Sequence, residues 1–255
     1  MTTLTALRII HRFCTLLLSV ALLHCAPTTS TALEPHSKLL PVDSSYETDS
    51  LAEATIAPFR TLMRQQMEVV IGHANKRLIK GNVESLLGNF VTDAILFQSK
   101  LNYSGKVHMS VTANGGLRAS IPKGPVTVST IYELMPFENQ LYILELNSDQ
   151  TNALFDLLAS NKKVSIANSV VLVEDDKPMK IFIDGEPFSE DQTYILAVAD
   201  YYAQGGGGMG FLKEARVLAK IDVKIRDMII EHIRWLEAQG SAADAEIEGR
   251  VKLIP

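Results

Sequence analysis

Two stretches of this sequence combine an aromatic ring with glycine-rich backbone, and one of them adds a fixed cation. The first runs Ala113-Asn114-Gly115-Gly116-Leu117-Arg118 and is followed by Met135-Pro136-Phe137-Glu138-Asn139. The second runs Asp200-Tyr201-Tyr202-Ala203-Gln204 into Gly205-Gly206-Gly207-Gly208. A ring offers a π-face for stacking, a guanidinium offers a permanent charge with forked donors, and glycine lets a ligand approach the main chain. Together they suit recognition of a flat, anionic small molecule. The glycine run could cradle a phosphate, but no Lys-Ser or Lys-Thr follows, so it is not a P-loop. His73, His108 and His232 are dispersed and form no H-x-H, D-x-H or H-E pairing, which argues against a metal site built from them. No Ser-His-Asp constellation follows from spacing either.

The elements that must carry these residues are legible as changes of period. Phe59, Leu62, Met63, Met67 and Val70 recur at helical spacing over residues 50–72, with Pro58 expected in the first turn of the main helix. Leu87, Val91, Ala94 and Ile95 predict the buried stripe of a helix over 84–98. The period then becomes two, and strands are expected over 107–111, 141–146, 170–173, 181–183 and 194–198. The Asp200-Tyr201-Tyr202 run is expected to end the last of these. A helix capped by Ser148 is expected through residue 158. Asp184-Gly185 is a hairpin-type turn signal. A long helix is expected over 222–239, lined by Ile225, Ile229, Ile233 and Leu236 and stopped by Gly240, and a short strand over 250–254. This mixture predicts an α+β fold, a single domain with a mixed β-sheet packed with helices. Asn89 and Asp93, one helical turn apart, read as capping and packing residues.

The chain has 255 residues, a formal net charge of −5 and 47% hydrophobic content, enough for one large domain. No basic block or basic helix face is present, which argues against nucleic acid as a partner. The N-terminus predicts export. Arg8, His11 and Arg12 form a basic region, and residues 13–23 are an apolar run too short to span a bilayer comfortably. Cys25 lies in a lipobox-like setting and is the expected lipidation site, although His24 stands where a small residue is usual. A cut after Ser30-Thr31-Ala32 is a second reading, and a retained membrane anchor a third. The boundaries expected are a signal peptide at 1–25, a linker at 26–45 rich in Thr, Ser and Pro, and the globular domain at 46–255. Cys14 and Cys25 are the only cysteines, and both lie in the leader. The domain therefore relies on its core rather than on a disulfide.

Several motifs in fixed order carry a family resemblance over roughly residues 45–255. They are Glu84-Ser85-Leu86-Leu87-Gly88-Asn89-Phe90 with Asp93-Ala94, Gly115-Gly116-Leu117-Arg118, Gly124-Pro125-Val126-Thr127, Pro136-Phe137, and Thr193-Tyr194 leading to Ala203-Gln204-Gly205-Gly206. The sequence resembles the C-terminal domain of the 5′-nucleotidase/UDP-sugar hydrolase family. The resemblance implies a domain that binds the nucleoside part of a substrate, while a separate metallophosphoesterase domain holds two metal ions and performs hydrolysis. It implies substrate-binding roles for Arg118, Phe137, Tyr201, Asn114, Gly115, Gly116, Gly205, Gly206 and Gly207, with Phe137 and Tyr201 as the two stacking rings. It assigns no catalytic residue and no cofactor to this chain, and expects divalent metals only in a partner domain. The pattern departs from the family at three places. Ala113 stands where an asparagine contacts the base, Gly207 where an aspartate holds the ribose hydroxyls, and the stretch Lys80-Gly81-Asn82-Val83 lacks an arginine.

The function expected is therefore the exported nucleotide- or nucleoside-binding half of a 5′-nucleotidase-type phosphohydrolase, periplasmic or anchored by lipid alone. A metallophosphoesterase chain would act as its partner. The alternative is a non-catalytic binding or scaffold module whose ligand has drifted, which Ala113 and Gly207 favour. The histidine and carboxylate inventory argues against a hydrolase acting by itself.

Overall fold

The computed structural model describes residues 40, 43, 46–161 and 163–255. The leader, Cys25 and nearly all of the expected linker lie outside the described residues. Helix α1, Ser50–Met67, is followed by strand β1, Val70–Ala74. The helix therefore starts where its periodicity suggested and stops sooner. Pro58 falls in its interior, where it has no N–H to donate to the carbonyl one turn back. Phe59, Leu62 and Met63 are exposed at 65%, 60% and 59%, so this apolar spacing does not mark a core face. No helix among the described residues is long and apolar enough to cross a membrane.

Helix α2, Leu86–Asn102, follows its sequence signal closely. The Ser85 hydroxyl accepts from the Gly88 N–H at 3.0 Å and caps it. Leu87, Val91, Ala94 and Ile95 are buried as the stripe requires. A Cβ on Gly88 would lie 1.9 Å from the Ser165 hydroxyl, so glycine is what lets the helix reach the sheet. Glu84 holds the C-terminal segment, accepting the N–H groups of Glu248, Gly249 and Arg250 at 2.8, 2.9 and 3.0 Å. Asn89 donates to Glu84 at 2.6 Å, and Asp93 pairs with the buried Arg250 at 2.7 Å. Burial raises the Asp93 carboxyl pKa despite that partner. The motif over residues 84–94 is thus architectural.

The remaining elements are β2 (Met109–Ala113), β3 (Gly124–Thr127), α3 (Val128–Leu134), β4 (Gln140–Leu146), α4 (Ser148–Asn161), β5 (Val164–Ala167), β6 (Ser169–Glu174), β7 (Lys177–Ile183), β8 (Glu186–Pro187), β9 (Tyr194–Ala199), α5 (Asp200–Ala203), β10 (Arg216–Lys224), α6 (Ile225–Ala238) and β11 (Val251–Leu253). Three short 3₁₀ turns, Asn114–Gly116, Gly206–Gly208 and Gly210–Glu214, complete the order. A five-stranded sheet has the order β10-β4-β9-β2-β5, a four-stranded sheet β11-β6-β7-β8, and β1 pairs with β3. The β2–β9 and β11–β6 pairs are parallel and the rest antiparallel, giving the mixed α+β fold expected. Asp184-Gly185 turns the chain between β7 and β8 with positive φ at both positions.

Two boundaries shift for physical reasons. Asn147, not Ser148, caps α4: its side chain accepts from the Gln150 N–H at 2.9 Å while Gln150 reaches back to the Asn147 N–H at 3.1 Å. Residues 222–224 belong to β10, whose pairing with β4 continues to Lys224↔Gln140, so α6 starts at Ile225.

Candidate functional site

Strand polarity brings the site together. β2 and β9 are parallel neighbours, so the segments leaving Ala113 and Ala199 emerge from one edge of the sheet. β4 runs antiparallel to β9 with Leu141 opposite Ala199, so the segment entering β4 arrives at that same edge. These segments are the ones singled out by chemistry. They enclose a cavity of about 580 Å³ lined by Arg118, Phe137 and Tyr201, with Gly115, Gly116 and Gly207. Buried Ile95, Val111 and Ile225 add apolar surface to its lining.

Each ring has an identifiable local cause. Thr127 caps α3 through a reciprocal bond pair with Thr130, and α3 delivers the loop that carries Phe137. Phe137 is 36% exposed. Tyr201 is 54% exposed and sits in α5, a short helix rather than the end of a strand. Its ring lies over Gly206, where a Cβ would come within 2.4 Å of ring carbons. The inward-facing ring is its neighbour Tyr202, 5% exposed, whose hydroxyl accepts from the Ala113 N–H at 3.3 Å. Burial raises the Tyr202 pKa.

Arg118 is exposed at the cavity, held through its backbone N–H to the Leu134 carbonyl at 2.7 Å. Among the described residues its guanidinium makes no ion pair, and so it is available to an anion. Lys80 does not replace the missing family arginine at the cavity, because its ammonium donates to the Leu117 carbonyl at 2.8 Å.

Other expected site residues sit elsewhere. Asn114 does not line the cavity: its amide nitrogen donates to the Gly81 carbonyl at 2.9 Å and its N–H to the Lys163 carbonyl at 2.8 Å. Gly205 lies against Lys213 and Gly206 beneath Tyr201, so neither lines the cavity. Ala113 does.

Residues the sequence reasoning missed support the Phe137 loop. Arg226, 3% exposed, donates to the Phe137 carbonyl at 3.3 Å and to the Glu138 carboxylate at 2.5 Å. Its guanidinium stacks 3.9 Å from the centre of the Tyr132 ring. Lys224 also pairs with Glu138. Lys224 and then Arg226 hold the Glu138 carboxyl down to a pKa of about 2. Asn139 and Asp200 join the neighbouring segments, the Asn139 amide donating to Asp200 at 2.7 Å. Asn139 follows Pro136-Phe137-Glu138 in sequence and could have been flagged, whereas Arg226 carries no local signal. Among the described residues no group of three His, Cys, Asp or Glu side chains is placed to hold a metal ion.

Comparison with known proteins agrees with this architecture. A profile of the family described as "5′-nucleotidase, C-terminal domain" matches residues 70–214. The trifunctional nucleotide phosphoesterase YfkN of Bacillus subtilis is 24% identical over 239 residues, covering 85% of this chain and 16% of that protein. The protein UshA of Yersinia enterocolitica is 28% identical over 160 residues, covering 60% of this chain and 28% of that protein. A 5′-nucleotidase precursor from Thermus thermophilus shares the fold with a TM-score of 0.68 at 23% identity, covering 80% of this chain and 43% of that one. The chain thus spans less than half the length of each of these relatives. With the profile running from β1 through the turn after Tyr201, this chain belongs to the 5′-nucleotidase C-terminal domain family.

Proposed function

We propose that this domain binds the nucleoside part of a nucleotide, with Phe137 and Tyr201 stacking on the base and Arg118 drawing the phosphate. In this reading the protein is exported, periplasmic or lipid-anchored through Cys25. It presents its ligand to a separate metallophosphoesterase chain, which supplies the divalent metals and the attacking water. The observation that carries the reading is the convergence on one cavity of both partly exposed rings and a guanidinium that makes no ion pair among the described residues. Stacking contributes about 1–3 kcal/mol per ring and a hydrogen bond to a charged group about 1.5–3. The gross sum corresponds to affinities from millimolar to micromolar.

Titrating adenosine, AMP and UMP against intrinsic fluorescence tests the binding half. Saturable binding abolished by Phe137→Ala supports it, and no saturable binding by any of them ends it. Mixing the chain with a metallophosphoesterase and metal tests the other half, which fails if AMP hydrolysis stays at that enzyme's own background.

A second reading, a binding or scaffold module with a drifted ligand, draws on Ala113 and Gly207. Gly207 has φ +63° and a Cβ there would lie 2.8 Å from the Tyr202 ring, so the backbone is built around the absence of an acidic side chain. Binding of non-nucleotide anions in preference to AMP would favour it.

A further inference from the structure

The two stacking rings stand on segments far apart in the chain, yet a single oxygen joins them. Asp200 Oδ1 accepts from the Asn139 amide at 2.7 Å and from the Tyr201 N–H at 2.7 Å. Asn139 lies two positions after Phe137, and its own carbonyl accepts the Ile225 N–H at 2.9 Å. The Tyr201 contact alone would be ordinary satisfaction of a free N–H at a helix start, and Ala199 offers no side-chain cap there. The second bond leaves the helix and crosses to the loop that carries Phe137. It therefore ties the two ring-bearing segments together.

We propose that Asp200 and Asn139 form a strut that sets the spacing between Phe137 and Tyr201, and with it the grip on a flat base. This rests on the nucleotide-binding reading above. Asp200 acts through both rings and is a positioning residue.

Affinities for AMP and for ribose 5-phosphate separate positioning from general structure, because only AMP uses the rings. Asp200→Ala and Asn139→Ala are each expected to weaken AMP about tenfold, within the roughly 5- to 150-fold that a stacked ring contributes. Ribose 5-phosphate should stay within about twofold for Asp200→Ala, because no ring contact is lost. The double variant should be no worse than the weaker single, as expected of residues acting through one interaction. Asp200→Asn keeps a side-chain oxygen and should restore AMP binding to within about threefold, the neutral acceptor making a weaker bond. In the ligand-free protein, either alanine variant should speed amide exchange on both sides, at residues 137–140 and 201–203.

The strut is overturned if Asp200→Ala weakens both ligands alike, if the singles add, or if exchange rises on one side only. Should the wild-type chain bind neither ligand, the nucleotide reading falls. Exchange on both sides would then still report whether the two segments are coupled.

Discussion

The glycines that follow Tyr201 yield the sharpest test, because they differ in what a single methyl group would meet. At Gly207 an added Cβ faces two penalties. Its φ of +63° lies in the left-handed region, which costs an L-residue about 1–2 kcal/mol. The Cβ would also lie 2.8 and 3.0 Å from carbons of the Tyr202 ring. That ring is 5% exposed and tied by its hydroxyl to Ala113, so it cannot swing away, and overpacking of this kind costs about 1–3 kcal/mol. Gly207→Ala should therefore destabilise by about 2–5 kcal/mol. Gly208 has φ +85° but its nearest neighbour is Leu157 at 3.7 Å, so Gly208→Ala should cost only about 1–2 kcal/mol. Gly210 has open space, and Gly210→Ala should lie between neutral and about 1 kcal/mol stabilising. Gly206→Ala behaves differently again, because its Cβ would strike the exposed Tyr201 ring. That variant should lose AMP affinity with little loss of stability. Urea unfolding of the four variants gives the order directly. A Gly207→Ala variant no less stable than Gly208→Ala would refute the packing argument. Gly207→Asp should be destabilised like the alanine variant rather than gain a ribose contact.

Two further outcomes follow from burial. His232 is 8% exposed among Phe90, Phe97 and Trp235, its Nδ1 has no partner among the described residues, and burial lowers its pKa to about 4. The unfolded chain takes up this proton near the ordinary histidine value while the fold refuses it, so this contribution is intact above about pH 6.5 and is lost as pH falls towards 4, by at most about 3 kcal/mol. His232→Phe should flatten the stability profile in that window, and equal slopes for the two proteins would count against the assignment. Tyr201→Ala should leave stability within about 0.5 kcal/mol and remove AMP binding, whereas Tyr202→Ala should cost about 3–5 kcal/mol, as a large buried side chain does. Thermal melts alongside titrations check both, and the reverse pattern would mean the roles of the two tyrosines are exchanged.

How much of this was legible in the sequence varies by element. Helix α2 was plain, because a four-residue apolar stripe is a local signal that burial then confirmed, whereas its Ser85 cap was seen only in the structure. Helix α1 was only half legible: the spacing of Phe59, Leu62 and Met63 marks a helix, but spacing alone does not say whether a face meets anything. The start of α6 was misplaced because residues 222–224 read as helix-compatible, and the partner that makes them strand, β4, is remote in sequence.

Residue chemistry and order along the chain determined which rings, glycines and cation could serve a ligand, since stacking, charge and backbone freedom belong to residue types. Tertiary structure alone decided that Phe137 and Tyr201 share a cavity, because that depends on β2, β4 and β9 lying side by side with their polarities matched. It alone turned Tyr201 outward and Tyr202 inward, since adjacent residues on a short helix point in different directions and only the neighbours determine which is buried. It alone recruited Arg226, whose guanidinium gains its role from Phe137, Glu138 and Tyr132, all remote in sequence.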